Sequence, residues 1–151
     1  TAFNGGNTTN VIPSEVKLMG TLRAMNEEWR FKAHELIKKQ TTELVAAMGA
    51  EAEVKIDIGY PFVMNDEALS AQARTLAEAF IGAENVSETE LRMGGEDFAF
   101  YTHQIPGCFF RLGAGNKAKG ITSNVHTPTF NIDETAIEHG MGMMAWLAVS
   151  V

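Results

Sequence analysis

Residues 51–58, with the sequence EAEVKIDI, alternate apolar and charged side chains more regularly than any other part of the chain. A period of two is what a β-strand needs when one of its faces meets water. The apolar positions of this stretch are Ala52, Val54, Ile56 and Ile58. The pattern therefore predicts a strand with one buried face.

The residues before this strand predict a strand and a helix. Residues 15–23 also alternate, with Met19 as the exception on the wet side. Asn26 is suited to cap a helix whose first turn holds two glutamates, which the helix dipole favours, and Gly49 is suited to end it. Residues 15–58 thus predict a strand–helix–strand unit of the ferredoxin-like kind. One face of the helix is expected to be buried, at Trp29, Ala33, Leu36, Ile37, Leu44, Val45 and Met48.

A domain crossing is expected near residue 60, because Pro61 ends a central strand and fixes the chain direction. The elements predicted after it are a helix at 66–81 ended by Gly82, a strand at 87–91, a short helix at 97–102, a buried strand at 108–112 and a helix from the capping Asp133 to Ala148. Its core-facing residues are expected to include Ile137, Met141, Met144 and Ala145. Helices that alternate with strands predict an α/β fold in both parts.

The composition of the chain limits which classes of function are expected. The 151 residues are 45% hydrophobic, which is enough to bury a core, and 19 acidic against 12 basic residues give a net charge of −7. We expect no nucleic-acid partner, because no basic run is present. No apolar stretch approaches the roughly 18–20 residues that cross a bilayer, so no membrane contact is expected. A single cysteine, Cys108, cannot form an internal disulfide, which favours a reducing compartment and a cytoplasmic location over the alternative of a secreted protein without disulfides.

The first residues predict that more chain precedes them. The sequence starts at Thr1 without a methionine, and Asn4-Gly5-Gly6-Asn7 indicates a turn with hardly any chain ahead of it. A turn needs structure on both sides. We therefore expect residues upstream of Thr1.

His126 is the histidine best placed for chemistry. It lies in Ser123-Asn124-Val125-His126-Thr127-Pro128, where the proline stiffens the loop and can hold the imidazole at a fixed angle. His34, His103 and His139 are better explained as solvated or capping residues. A single loop imidazole is not a metal site by itself, since zinc needs three or four donors.

Other polar positions allow two interpretations each. Glu96 and Asp97 follow the Gly94-Gly95 turn, where they could line a pocket or satisfy the first amides of a helix. Arg23 could clamp a carboxylate or simply solvate a strand end, and Asn10 before Pro13 is equally ambiguous.

Three further chemistries are poorly supported by the sequence. The glycine-rich run at 113–120 lacks the Gly-Lys-Ser/Thr ending of a phosphate loop. Cys108 has no evident activating base, which favours a buried inert thiol. No Gly-x-Ser-x-Gly elbow of a serine hydrolase occurs.

Taken in order, several short motifs resemble one family. They are Gly5-Gly6 with Asn10-Val11-Ile12-Pro13, Gly20-Thr21-Leu22-Arg23, Met93-Gly94-Gly95-Glu96-Asp97-Phe98, Leu112-Gly113, and Val125-His126-Thr127-Pro128 with Phe130 and Asp133-Glu134. Together they resemble the metallo-aminoacylase and carboxypeptidase family, in its branch of N-acyl-amino-acid amidohydrolases, hippurate hydrolases and indole-acetyl-amino-acid hydrolases.

The resemblance implies an α/β protein with a dinuclear-metal catalytic domain and an inserted ferredoxin-like lid that also forms a homodimer. Residues 1–60 then correspond to the second half of the lid, and residues 61–151 to the C-terminal segment of the catalytic domain. The resemblance implies that His126 ligates one of two divalent metal ions, with zinc favoured over manganese or cobalt. It also implies that Asn10 and Arg23 reach the carboxylate of an N-acyl amino acid or dipeptide-like substrate, and that Gly94, Gly95 and Glu96 line the pocket.

The sequence departs from the family by absence. The other metal ligands and the catalytic glutamate would lie upstream of residue 1, so we expect this chain alone to be inactive. Two functions follow as alternatives. One is a metal-dependent hydrolase of N-acyl amino acids, formed with the upstream polypeptide. The other is a non-catalytic dimerisation or carboxylate-binding module that retains the family's lid and C-terminal segments.

Overall fold

The computed structural model describes residues 1–151, which divide into two compact units, Thr1–Phe62 and Val63–Val151. Four α-helices and one two-stranded antiparallel sheet are formed. This mixture of helix and sheet is consistent with the predicted α/β class. No helix is both long and apolar enough to cross a membrane.

The sheet of the first unit consists of two strands of three residues each. Strand β1, Ala2–Asn4, pairs antiparallel with β2, Lys17–Met19, and Phe3 lies opposite Leu18. The strand predicted over residues 15–23 is therefore much shorter, because β1 offers only three residues to pair with. β1 itself was not predicted, since three residues carry no readable period.

Helix α1, Glu27–Ala47, confirms the prediction made from its end signals. The Asn26 side chain accepts a hydrogen bond from the Trp29 amide at 2.7 Å, which satisfies one of the helix's free N–H groups. Glu27 also accepts a hydrogen bond from the Arg30 Nε at 2.9 Å, one turn along the helix. Gly49 follows the helix with a φ of +79°, in the left-handed region where glycine is favoured.

The strand predicted at 51–58 is not formed. These residues are in no strand and make no backbone hydrogen bond with another segment. The predicted alternation of faces is nevertheless present, because Ala52, Val54 and Ile56 are half-buried while the charged residues between them are exposed. Ile58 departs from it and is 63% exposed. The segment has the side-chain pattern of a strand and lacks a pairing partner.

Two packed helices form the framework of the second unit. Helix α2, Glu67–Ile81, begins after Asp66, whose carboxylate accepts a hydrogen bond from the Leu69 amide at 2.8 Å, and it ends at Gly82. It packs against the C-terminal helix of the chain. These bounds confirm the predicted helix at 66–81.

Helix α4, Thr135–Ser150, contacts α2 through aromatic side chains. The indole N–H of Trp146 donates to the Leu76 carbonyl at 3.0 Å, and the Trp146 ring stacks on Phe80 with centroids 6.3 Å apart. A Cβ on Gly142 would lie 2.8 Å from the Phe80 ring, so the absence of a side chain there admits this ring. The helix begins one residue later than predicted, with Glu134 at its N-cap position.

Neither strand predicted for the second unit is formed. Residues 87–91 are exposed and residues 108–112 lie in no strand, although the Asn65 side chain bonds both the amide and the carbonyl of Phe109, at 2.8 and 3.0 Å. The short helix α3, Ala99–Thr102, lies inside the predicted range 97–102. The half-buried part of the 108–112 segment ends at Phe109, and Phe110 is 42% exposed, so the predicted buried strand is not buried.

The buried apolar core is small, contrary to the expectation from composition. Only Ala33, Ala99, Ala136 and Met143 among the apolar residues are buried, and no large side chain is fully enclosed. The predicted inner faces are wrong for the large side chains, which are exposed. These include Trp29, Leu36, Ile37, Leu44 and Met48 in α1 and Ile137, Met141 and Met144 in α4. Periodicity identified one apolar face on each helix. Burial of that face requires another packed element, and neither unit provides one for these side chains.

Candidate functional site

The loop that carries His126 is closed by its own hydroxyl groups. Ser123 Oγ and Thr129 Oγ1 are hydrogen-bonded at 2.9 Å, and each lies three residues from His126. Between them, the Thr127 hydroxyl donates to the Asn124 carbonyl at 2.7 Å. These bonds form a compact turn with His126 at its centre.

His126 has an unusual backbone conformation. Its φ of +63° makes it the only non-glycine residue of the chain with a positive φ. The left-handed conformation costs a non-glycine residue on the order of 1 kcal/mol or more, and it persists only where surrounding contacts impose it. The imidazole is exposed and makes no hydrogen bond, ion pair or ring contact within the chain. Both nitrogens are therefore available to a ligand.

The base of this loop is held by Asp133, which is only 7% exposed. Its Oδ1 accepts a hydrogen bond from Lys119 Nζ at 2.7 Å, and its Oδ2 accepts one from the Asn116 side-chain amide. Its backbone N–H donates to the Ala114 carbonyl at 2.8 Å. Three residues of the glycine-rich run at 113–120 are therefore hydrogen-bonded to Asp133 at the base of the His126 loop.

These contacts lower the pKa of the Asp133 carboxyl well below its usual range. The largest cause is the hydrogen bond from Lys119, followed by the one from Asn116, and both favour the ionised form. A weaker contact comes from the Thr135 amide, 3.3 Å from Oδ1, at the start of α4. Asp133 therefore bonds the first amide of the helix, but Glu134 and not the predicted Asp133 occupies the N-cap position, and the strongest partners of Asp133 come from the preceding loop.

The Gly94-Gly95 turn leads into helix α3. The first amides of this region bond backbone carbonyls, as Ala99 does to Glu96 at 3.2 Å and Phe100 does to Asp97 at 3.0 Å. No side chain caps the helix. The interpretation that the Glu96 and Asp97 carboxylates satisfy the helix amides is therefore wrong. The pocket role of Glu96 stays a prediction.

One residue near this turn was not singled out by sequence reasoning. A Cβ built on Gly94 would lie 4.0 Å from Arg111 Nη2 and 4.0 Å from Glu96 Oε1. A guanidinium and a carboxylate therefore both lie close to Gly94. Arg111 lies in the predicted 108–112 strand, where the apolar neighbours gave no sign of a binding role. Its proximity to Gly94 is visible only in the folded chain.

Asn10 and Arg23 both lie in the first unit. Asn10 is exposed in the loop that joins β1 to β2, and Arg23 is exposed four residues beyond the end of β2. His126, Gly94, Gly95 and Glu96 belong to the second unit. The structure therefore gives the local surroundings of the site residues within each unit. That residues of both units form one active site stays a prediction.

The chain does not contain a complete metal site. No group of three or more histidine, cysteine, aspartate or glutamate side chains could hold a metal ion. His126 fits one position of such a site, because an exposed imidazole without internal partners is a good ligand for zinc, manganese or cobalt.

Two concave surfaces of the second unit lie away from His126. One is apolar and lies against α2 and α4, with Cys108, Phe110 and Met144 among its lining residues. The other lies at the start of α2 and includes Asp66, Thr102 and His103. Cys108 is half-buried in the apolar surface, which fits the interpretation of an unreactive thiol.

The sequence from Gly5 to Val149 matches the model of one protein family, described as peptidase family M20/M25/M40. The chain belongs to this family. The resemblance inferred from the ordered motifs is therefore confirmed. No solved structure matches the chain.

Curated relatives of the M20/M25/M40 chain include named hydrolases. It is 37% identical over 135 residues to the N-acetyl-L-cysteine deacetylase of Bacillus subtilis, covering 89% of this chain and 31% of that protein. It is 33% identical over 150 residues to the IAA-amino acid hydrolase ILR1-like 4 of Arabidopsis thaliana, covering 97% and 34%. It is 29% identical over 150 residues to thermostable carboxypeptidase 2 of Saccharolobus solfataricus, covering 99% and 37%.

The M20/M25/M40 chain spans about a third of the length of these three relatives, between 31% and 37%. It also matches 17% of a protein of Rhodococcus jostii whose name is that of a glutamate–cysteine ligase. A shared segment of this length establishes the family and leaves the activity of the whole protein to be tested.

Proposed function

We propose that this chain, together with further polypeptide, forms a metal-dependent hydrolase that cleaves the amide bond of N-acyl amino acids. The observation that carries the proposal is His126. Its imidazole is exposed and without internal partners, and its loop holds the backbone in a left-handed conformation. Backbone strain of this kind is often found at ligand-binding positions. In a chain of a peptidase family, a metal ligand is the role that these features support best.

The metal would be bound by His126 and by ligands outside this chain. Peptidases of this family are generally dinuclear metal enzymes, and zinc, manganese and cobalt all suit an imidazole. When bound, such an ion polarises a carbonyl and lowers the pKa of a coordinated water. The contribution of His126 is to hold one ion at a fixed position. The catalytic base is proposed to lie outside these residues, as the sequence predicts.

Substrate recognition is proposed to use both units. Arg23 and Asn10 would bind the substrate carboxylate, since a guanidinium and an amide both donate hydrogen bonds to that group. The Gly94-Gly95 turn and Glu96 would line the pocket, and Glu96 lies close to this turn. The names of two relatives, a deacetylase of N-acetyl-L-cysteine and an IAA-amino acid hydrolase, support an N-acyl amino acid as the substrate class.

The domain roles follow from the same proposal. Residues 1–60 would be half of a lid that forms a homodimer, and residues 61–151 the C-terminal segment of the catalytic domain. Two observations support incompleteness of each part. Residues 51–58 have strand patterning without a partner, and large apolar side chains are exposed in both units. A cytoplasmic location is proposed from the single cysteine.

Replacement of His126 tests the proposal. In the polypeptide that carries this chain with any residues encoded upstream, His126→Gln should lower bound metal and reduce hydrolysis of an N-acetyl amino acid by about 100-fold or more. His139→Gln is the matched control, because His139 is also exposed in the second unit but lies in helix α4. Unchanged metal content and hydrolysis in His126→Gln would refute the proposal.

The carboxylate role of Arg23 has its own test in the same enzyme. Arg23→Lys keeps the charge and loses the two-pronged geometry, so KM should rise by about tenfold while kcat changes less. Lys17→Arg, in the neighbouring strand β2, is the control for a change of basic side chain. An equal KM for the Arg23→Lys variant would remove Arg23 from the substrate site.

A second candidate is a non-catalytic dimerisation or carboxylate-binding module. It is favoured by the absence of a complete metal-ligand group within the chain. Intact mass and metal analysis of the native protein separate the two functions. A longer polypeptide with about two metal ions per chain indicates the hydrolase. A stable product of 151 residues without metal indicates the module.

A further inference from the structure

We propose that Asp133, through Lys119 and Asn116, is a positioning residue that holds the His126 loop in the conformation needed for metal binding. The inference rests on the proposed function, in which His126 is a metal ligand. Its basis is the hydrogen-bond network at the base of the loop. All of the groups involved lie in the second unit.

Both ends of the loop are attached to one short turn. At its start, the Ile121 amide and carbonyl bond the carbonyl and amide of Asn116, both at 2.9 Å. At its end, Asp133 bonds the Ala114 carbonyl through its backbone and reaches Asn116 and Lys119 through its carboxylate. Residues 122–132 are therefore a loop whose two ends are fixed to the same 114–121 segment.

The turn itself is held by a side-chain cap and a glycine in the left-handed conformation. The Asn116 side chain accepts a hydrogen bond from the Lys119 amide at 3.2 Å, which caps the 3-10 turn at Lys117–Lys119. Gly120 follows in the left-handed conformation, with a φ of +71°. Asn116 thus links three groups, namely the 3-10 turn, the start of the loop at Ile121, and Asp133 at its end.

The carboxylate of Asp133 is occupied by these contacts. Oδ1 accepts from Lys119 and from the Thr135 amide, and Oδ2 accepts from Asn116. Asp133 is therefore positioned to act through its neighbours and not as a metal ligand itself. Because the Asp133 carboxylate is buried, its negative charge needs a partner nearby, and the ammonium of Lys119 supplies it.

Closure of the loop ends stabilises the conformation of His126. A left-handed histidine is favoured only while the chain on both sides is constrained, so release of one end permits relaxation toward ordinary φ values. A metal ligand that samples several positions binds more weakly, because ordering it on binding costs entropy. Groups that orient a metal-ligating histidine typically change metal affinity by about 10- to 100-fold.

Two variants test the inference in the polypeptide that carries this chain with any upstream residues. Asp133→Asn removes the charge and keeps the shape. Lys119→Met removes the ammonium from a side chain that is 55% exposed, so it leaves folding intact even where Asp133→Asn does not. Each should weaken the affinity for Zn²⁺ alone by about tenfold or more. Lys119→Arg should restore most of it.

Hydrogen exchange gives a second readout that needs no metal. The Phe130 amide donates to the Thr127 carbonyl at 3.1 Å within the turn that holds His126. Its exchange should accelerate in Asp133→Asn and Lys119→Met, because the turn loses its fixed base. A role confined to the start of helix α4 would change the exchange of Ala136 and not that of Phe130.

The control is Lys117→Met, which changes a lysine of the same 3-10 turn that makes no ion pair. It should leave both readouts unchanged. Unaltered Phe130 exchange and Zn²⁺ affinity in Lys119→Met would overturn the inference. Failure of the proposed function has a different signature, namely that His126→Gln retains full Zn²⁺ affinity while Lys119→Met still accelerates Phe130 exchange.

Discussion

Helix α1 and the segment that follows it, residues 51–58, carry equally clear sequence patterns, yet only the helix is formed. The helix satisfies its backbone within 21 consecutive residues, and Asn26 closes its first turn. Residues 51–58 show the alternating exposure of a strand and bond no other backbone. The difference is where the hydrogen-bond partner comes from.

A helix depends on residues four positions away, whereas a strand depends on another segment. The sequence of residues 51–58 therefore specifies which side chains form an apolar face, but it does not specify the strand with which the segment would pair. The same reasoning applies to residues 15–23, of which only the three that meet β1 form a strand. Substitutions that remove a backbone donor should separate the two regions.

The largest effect is expected from Lys39→Pro in the middle of α1. Proline removes an amide donor and clashes with the preceding turn, which costs about 3 kcal/mol or more in the free energy of unfolding. The Lys39 side chain is 69% exposed, so little packing is lost with it. Urea unfolding followed by circular dichroism measures the change, with Lys39→Ala as the control. A loss below about 1 kcal/mol would show that α1 is not a continuous cooperative helix.

Removal of a helix cap should have a smaller effect. Asn26→Ala leaves the Trp29 amide without its acceptor, and we expect the free energy of unfolding to fall by about 1 kcal/mol. Asn26→Asp keeps the acceptor and should retain most of the stability. If Asn26→Ala and Asn26→Asp unfold at the same urea concentration, the cap contributes nothing to the local stability assigned to α1.

A still smaller and pH-dependent effect is expected from Asp133, because its partner Lys119 is half-exposed and solvent screens the pair. The folded-state pKa of Asp133 lies below its ordinary value of 3.8. The stabilisation is therefore fully present above that value and is lost as the pH falls below it toward the folded-state pKa. The stability difference between the chain and Asp133→Asn should shrink between about pH 6 and about pH 2. A difference that grows toward acid pH would contradict the network.

The smallest effect is expected from Lys55→Pro. Residues 51–58 donate no backbone hydrogen bond, so proline removes none, and the free energy of unfolding of this chain should change by less than about 0.5 kcal/mol. Lys55→Ala controls for loss of the side chain. In a longer polypeptide where residues 51–58 pair as a strand, Lys55→Pro would remove a ladder hydrogen bond, so the free energy of unfolding should fall by a clearly larger amount.

The candidate site divides along the same line. His126 and the glycine turn at 94–95 could be identified from short motifs, because local residue types mark them. The anchoring of the His126 loop could not be predicted, because Asp133 bonds Asn116 and Lys119, which lie 17 and 14 residues earlier in the chain. The proximity of Arg111 to Gly94 could not be predicted either, because no sequence period relates the two segments that carry them.

The family, the positions of α1, α2 and α4, and the apolar faces of the extended segments could all be predicted from the amino-acid sequence. These follow from motifs, caps and periods that act over a few residues. The folded chain was needed to show which extended segments pair, which apolar side chains are buried, and how the loop of His126 is held. Each of these depends on contacts between residues far apart in the chain, and local patterns carry no record of such partners.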